Sequence, residues 1–131
     1  MDSRLFFHRR ERLRLQKDID RLFASGQAFI SYPLRIVYLQ QAELHAAKPS
    51  VSTLIVVPRK RIRHSVKRNR IKRLIRESFR LNKKETTDFF IQNGKRLHIA
   101  FVYISDDLKV YTEIEKAVKK SLERILRSST K

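Results

Sequence analysis

Residues 51–82 read VSTLIVVPRKRIRHSVKRNRIKRLIRESFRLN, and their reading decides the fold. The stretch Val51–Val57 is β-branched and almost wholly apolar, the pattern of a strand covered on both faces, and Pro58 stops it. From about Ser65 to Asn82 the period changes to that of a helix. At 100° per residue, Ile71, Leu74, Ile75, Ser78 and Phe79 gather on one side. A second continuously apolar run, Leu97–Ile104, reads as another buried strand, so the helix joins two strands in a βαβ unit.

Working outward, Ile19, Leu22 and Phe23 mark one face of a short helix over about Lys17–Ser25, with Gly26 predicted as a left-handed cap. Residues 28–40 are strand-like, and Pro33 within them implies an edge position or a break. Gln41–Ser50 is a polar loop. Residues 83–96 form a polar connection containing Gly94, in which Asp88–Gln92 adds a helical turn. Asp106 and Asp107 make a turn, and Thr112 with Glu115 forms a capping box for a last helix striped by Ile114, Ala117, Val118, Ser121, Leu122 and Ile125. The predicted class is α+β, a single-domain layer sandwich of order α-β-β-β-α-β-α, with helices on a small mixed four-stranded sheet. The whole chain, 1–131, reads as one domain, with residues 1–14 as a basic N-terminal arm.

Charge narrows the function. There are 31 Lys and Arg against 13 acidic residues, a formal net charge of +18. An excess of that size opposes compaction unless a polyanion is the normal partner. Cysteine is absent, which removes disulfides and thiolate metal sites and suits a reducing cytosol. The N-terminal residues show no apolar run of signal-peptide length. Nor does any stretch approach the roughly 18 apolar residues of a membrane span, so the expectation is a cytoplasmic protein without a membrane partner. The four histidines, His8, His45, His64 and His98, are scattered; His98 reads as a core-edge residue, and His64, beside the basic helix, equally as a contact to the polyanion or as part of a solvated turn. Asp106–Asp107 is the only adjacent carboxylate pair and reads as a turn former. No catalytic and no metal-ligating residue is assigned.

The positive charge concentrates in residues 59–80, which hold eleven basic residues and one acid, Glu77. A solvated helix face mixes signs through i, i+4 pairs, and this one does not. Cations near the first turn oppose the helix dipole by roughly 0.3–1 kcal/mol each, and arginine, which grips phosphates bidentately, dominates over lysine. The helix is therefore read as a surface built to meet phosphates.

Arg68-Asn69-Arg70-Ile71-Lys72-Arg73-Leu74-Ile75-Arg76 resembles the Arg-Asn-x-x-Lys-Arg-x-x-Arg signature of the bacterial ribonuclease P protein. The resemblance covers roughly residues 12–127, with Arg12-Leu13 leading into the first helix and Lys60 and Arg61 just before the signature. It implies an RNA-binding subunit that assists a catalytic RNA in removing the 5′ leader of precursor tRNA, with Mg2+ held through the RNA and one protein per RNA. Arg68, Asn69, Arg70, Lys72, Arg73 and Arg76, with Lys60 and Arg61, would contact RNA. A cleft between the sheet and the first helix would hold the leader at Phe23, with Ile19 and Val37 where the family commonly has aromatics. It also implies a left-handed βαβ crossover, where the general rule would give a right-handed one. The other reading is a general RNA-binding or ribosome-associated protein with no processing role. A self-sufficient protein nuclease is disfavoured because no carboxylate and histidine constellation is present.

Overall fold

The computed structural model describes residues 12, 13, 15–42 and 50–130. The expected basic arm lies outside these apart from Arg12 and Leu13, as do His8 and His45. Eight elements follow in order: α1 (Gln16–Ser25), β1 (Gln27–Ser31), β2 (Leu34–Gln41), β3 (Val51–Val56), α2 (Ser65–Asn82), α3 (Lys84–Gln92), β4 (Arg96–Tyr103) and α4 (Tyr111–Ser129). The order is the predicted one with one helix added. The strands form a mixed sheet in the order β1-β2-β4-β3, with β3 parallel to β4 and the other pairs antiparallel.

Pro33 makes the predicted break. The apolar run over 28–40 folds into a hairpin whose turn holds Tyr32 and Pro33, which keeps proline out of the ladder. β4 lies between β2 and β3 and is buried along most of its length, which is why it reads as continuously apolar. One sheet face carries Leu34, Ile36, Ile99, Phe101 and Tyr103, packed with Ile71, Ile75 and Phe79 of α2 and Ile114, Val118, Leu122 and Ile125 of α4. The Phe79 and Phe101 rings meet at 5.9 Å between centroids. The opposite face packs Val37 and Ala100 against Leu22 of α1 and Leu13. Leu13 is fixed there by its N–H, which donates to the Thr53 carbonyl at 2.7 Å, so residues 12 and 13 extend the sheet beside β3.

Leu97 fixes the hand of the crossover. Its side chain joins the cluster formed with α2, while its N–H points toward the β3 side and donates to the Ser50 carbonyl at 2.7 Å. For an L-residue this places β3 to the right of β4, viewed from the helix side with both strands running upward. The chain leaves β3, crosses in front through α2 and α3, and enters β4 on the left. That is a left-handed crossover, the uncommon hand.

Three local expectations are corrected. Gly26 ends α1 but is extended, with φ −73°, and not left-handed. A Cβ there would come within 2.4 Å of the Leu22 carbonyl oxygen and 2.9 Å of the Tyr38 carbonyl oxygen, so close approach to the last turn of α1 and to β2 together requires glycine. The left-handed cap belongs to Gly94 (φ 62°), where Gly94 N–H donates to Ile91 O and Lys95 N–H to Phe90 O, the paired bonds of a Schellman motif. That cap closes α3, a nine-residue helix in place of the single turn expected, anchored by buried Thr86 and Phe90. The Thr112–Glu115 capping box does not form. The helix starts two residues earlier, at Tyr111 after an extended Val110, and Glu115 accepts a hydrogen bond from the Tyr111 hydroxyl at 2.9 Å. His98, placed at the core edge, is 1% exposed and lies 3.2 Å from an Arg96 guanidinium nitrogen.

Gly26→Ala is expected to destabilise the protein by about 1–3 kcal/mol through overpacking against the Leu22 carbonyl and β2. Urea unfolding checks this, with Gly94→Ala as a contrast whose cost comes from backbone strain, since no atom lies within 4 Å of its added Cβ.

Candidate nucleic-acid interface

The apolar stripe of α2 settles where its cations go. Ile71, Ile75 and Phe79 are 0–1% exposed in the core, and the rest of the helix surface is mainly polar and charged, with Val66 and Leu81 exposed near its two ends. Lys67, Asn69, Arg70 and Arg73 stand exposed on the outer surface, and Lys72 and Arg76 are half-buried along its flank. Thus the structure places all six signature side chains outside the core, on more than one side of the helix.

On one flank, Lys72 and Arg76 line a groove of about 260 Å³ whose other walls are Arg12, Leu13 and residues 53–55 of β3. Burial lowers the pKa of Arg76, and the nearby charges of Arg12 and Arg73 lower it further. The Arg76 Nε is buried without a hydrogen-bond partner among the described residues. Three like charges crowd together there, and one of them keeps a donor unpaired, an arrangement that an anion entering the groove would relieve. On the other flank Arg70 lines a smaller groove with Leu74, Lys109 and Tyr111. Arg12 is the residue that sequence reasoning left out of the site. Its register in the arm gave no sign of it, because only the bridge to Thr53 carries it beside α2.

Arg68 is more than a surface cation. Its guanidinium donates to the carbonyls of Ile62 at 3.0 Å and Arg63 at 2.7 Å, so it ties the loop between β3 and α2 to the helix start. Those carbonyls also offset the adverse dipole at the N-terminus, where no side-chain cap is present. Lys60 is exposed, whereas Arg61 reaches across to Asp106 at 3.3 Å. Asp106 is thereby engaged with a cation. Among the described residues no group of three His, Asp or Glu side chains is gathered to hold a metal ion.

On the opposite sheet face, Phe23 is 44% exposed on α1 and Ile19 is half-buried. Val37 is only 2% exposed beneath α1, so it is floor and not a contact surface, which corrects its expected place in the cleft. The accessible row on that face is formed by Ile30, Arg35 and Val102, which the strand pairing brings together. The alternation counted back from Val37 would have found Arg35.

These features define a strongly basic α+β domain with a guanidinium-rich helix on a left-handed βαβ unit, a protein built to meet a polyanion. A model of the Ribonuclease P family matches residues 7–126. The chain is 45% identical over 115 residues to the ribonuclease P protein component of Porphyromonas gingivalis, covering 88% of this chain and 82% of that one. It is 33% identical over 100 residues to that of Chlorobium phaeobacteroides, covering 72% and 68%. Among solved structures, the RNase P protein of Thermotoga maritima superposes with a TM-score of 0.65 at 24% identity, covering 87% of this chain and 96% of that one. That of Staphylococcus aureus gives 0.60 at 21%, covering 91% and 94%, and both show the shared fold. The chain belongs to the ribonuclease P protein family.

Removal of the Arg68 guanidinium is expected to lower stability by about 1.5–3 kcal/mol, the range for hydrogen bonds from a charged donor. Thermal unfolding of Arg68→Ala checks it; an unchanged Tm would mean that the loop carbonyls need no such tie.

Proposed function

We propose that this protein is the RNA-binding subunit of ribonuclease P and assists a catalytic RNA in endonucleolytic removal of the 5′ leader from precursor tRNA. The observation that carries the proposal is the basic surface of α2: six signature side chains outside the core, one of them an arginine whose buried Nε has no partner among the described residues beside a basic groove. The curated relatives are named ribonuclease P protein components, which supports an RNA partner and a place in an endoribonuclease complex.

In this reading Lys72, Arg73 and Arg76, with Arg12, grip phosphates of the catalytic RNA, and Asn69 and Arg70 extend the contact. Lys60 sits ahead of the helix within reach of the same strand, while Arg61 and Arg68 hold the loops that present it. The leader runs over the opposite face, where Phe23 offers a ring for a base, worth roughly 1–3 kcal/mol if stacked. Ile19 flanks it, and Arg35 supplies a cation for the leader backbone. Mg2+ enters with the RNA, which performs the hydrolysis, and no step is assigned to a protein side chain. One protein acts per RNA, in the cytoplasm.

The test is cleavage of a precursor tRNA at low magnesium by the protein alone, by a bacterial ribonuclease P RNA alone, and by the two together. Cleavage at the mature 5′ end only with both present is the expected result. Cleavage by the protein alone would place the chemistry in its side chains. Absence of stimulation, with equal binding to unrelated RNAs, would make it a general RNA-binding protein.

A further inference from the structure

A groove of about 530 Å³ lies away from the signature helix, between α4 and the β1–β2 hairpin. We propose that this groove binds a single-stranded stretch of RNA, gripping its backbone with the cations of α4 and stacking a base on Tyr32. The proposal is independent of any role assigned to α2 or to the α1 face.

One wall is a row of cations. Lys116, Lys120 and Arg124 follow one another at i, i+4 and i+8 along α4, a line about 12 Å long at 1.5 Å per residue. Glu113 is the only acid lining the groove. Like charges at i, i+4 repel, and Glu113 and Glu123, three residues from Lys116 and Lys120, offset only part of that repulsion, so the row keeps positive charge for an anion to meet. The facing wall is aromatic. The Arg124 guanidinium lies 4.3 Å from the Phe29 ring centroid, which holds that cation over the groove. Tyr32 is 59% exposed at the hairpin tip, and the Lys109 ammonium lies 5.5 Å from its ring centroid. A base stacked on Tyr32 would bring its phosphate beside Lys109. The two walls are also tied together, since the Ser31 hydroxyl donates to the Ala117 carbonyl at 2.9 Å.

Cations alone would serve a duplex or an acidic protein segment equally well. An exposed ring among them favours unpaired bases, whose faces are free to stack, and bases have been found to prefer such mixed basic and aromatic grooves irrespective of their sequence.

The test titrates the full chain with a short labelled oligouridylate and with a duplex RNA of equal length over a range of salt. Lys116→Ala/Lys120→Ala is expected to flatten the log–log salt slope for the single strand by about 1.4, two contacts at roughly 0.7 each. Tyr32→Ala is expected to weaken single-strand binding by about tenfold while leaving duplex binding unchanged. Both losses should persist in an Arg73→Ala background, which keeps this groove distinct from the α2 surface. Photo-crosslinking of a bromouridine-substituted strand to Tyr32 provides a readout that needs no substitution. The proposal is overturned by an unchanged slope, by equal losses for duplex and single strand, by displacement with polyglutamate as effective as with RNA, or by crosslinks confined to the Phe23 face.

Discussion

The packing of Ile71, Ile75 and Phe79 of α2 into the core it shares with β4 and α4 governs the rest of the molecule. Burial of three large apolar side chains stabilises by roughly 1.5–3 kcal/mol each relative to exposure, enough to hold the helix in one rotational setting against the repulsion among its own cations. That setting sends Arg70 and Arg73 outward and lays Lys72 and Arg76 along the edge of β3. It also defines the left-handed route from β3 to β4, since the helix layer covers the face to which Leu97 points. One row of contacts thus fixes both the topology and the direction in which the charge faces.

The charge itself is a stress on the fold. Few acids are available to offset it, and those on view near α2 are engaged locally. Glu77 is held by Arg80, whose hydrogen bond lowers the Glu77 pKa, and Asp106 by Arg61. Beside Arg12 and Arg73, Arg76 feels like charges that lower its own pKa after burial has already done so. The free protein therefore carries repulsion that RNA binding would relieve, and the same interaction that binds the partner would stabilise the bound fold.

Much of this was legible in the sequence where one pattern dominated. The α2 stripe and the apolar run of β4 were readable because a helix packed on one face and a strand buried on both leave unmixed periodicities, whereas β3, expected to be covered on both faces, ends the sheet order and is fully buried only over Val51–Thr53. What was misread depended on contacts from distant parts of the chain. Gly26 does cap α1, but in an extended conformation, crowded by the Leu22 carbonyl and by β2, while the left-handed cap at Gly94 closes a helix whose polar surface hid Thr86 and Phe90. Val37 looked available because its burial comes from α1 folding back over the sheet. Arg12 was invisible as a site residue until its bridge to Thr53 placed it beside Arg76. The hand of the crossover followed from the family resemblance alone until the side-chain and N–H directions of Leu97 were in hand.

The central claim is that α2 is divided between a core face and an RNA face, and Arg73→Ala tests it most directly. Its affinity for ribonuclease P RNA would be measured across salt concentrations, beside its urea midpoint. The account predicts a log–log slope shallower by about 0.7–0.9, the loss of one phosphate contact, with stability within about 0.5 kcal/mol of the parent. An unchanged slope together with a lowered urea midpoint would contradict it, because Arg73 would then belong to the fold and not to the RNA surface.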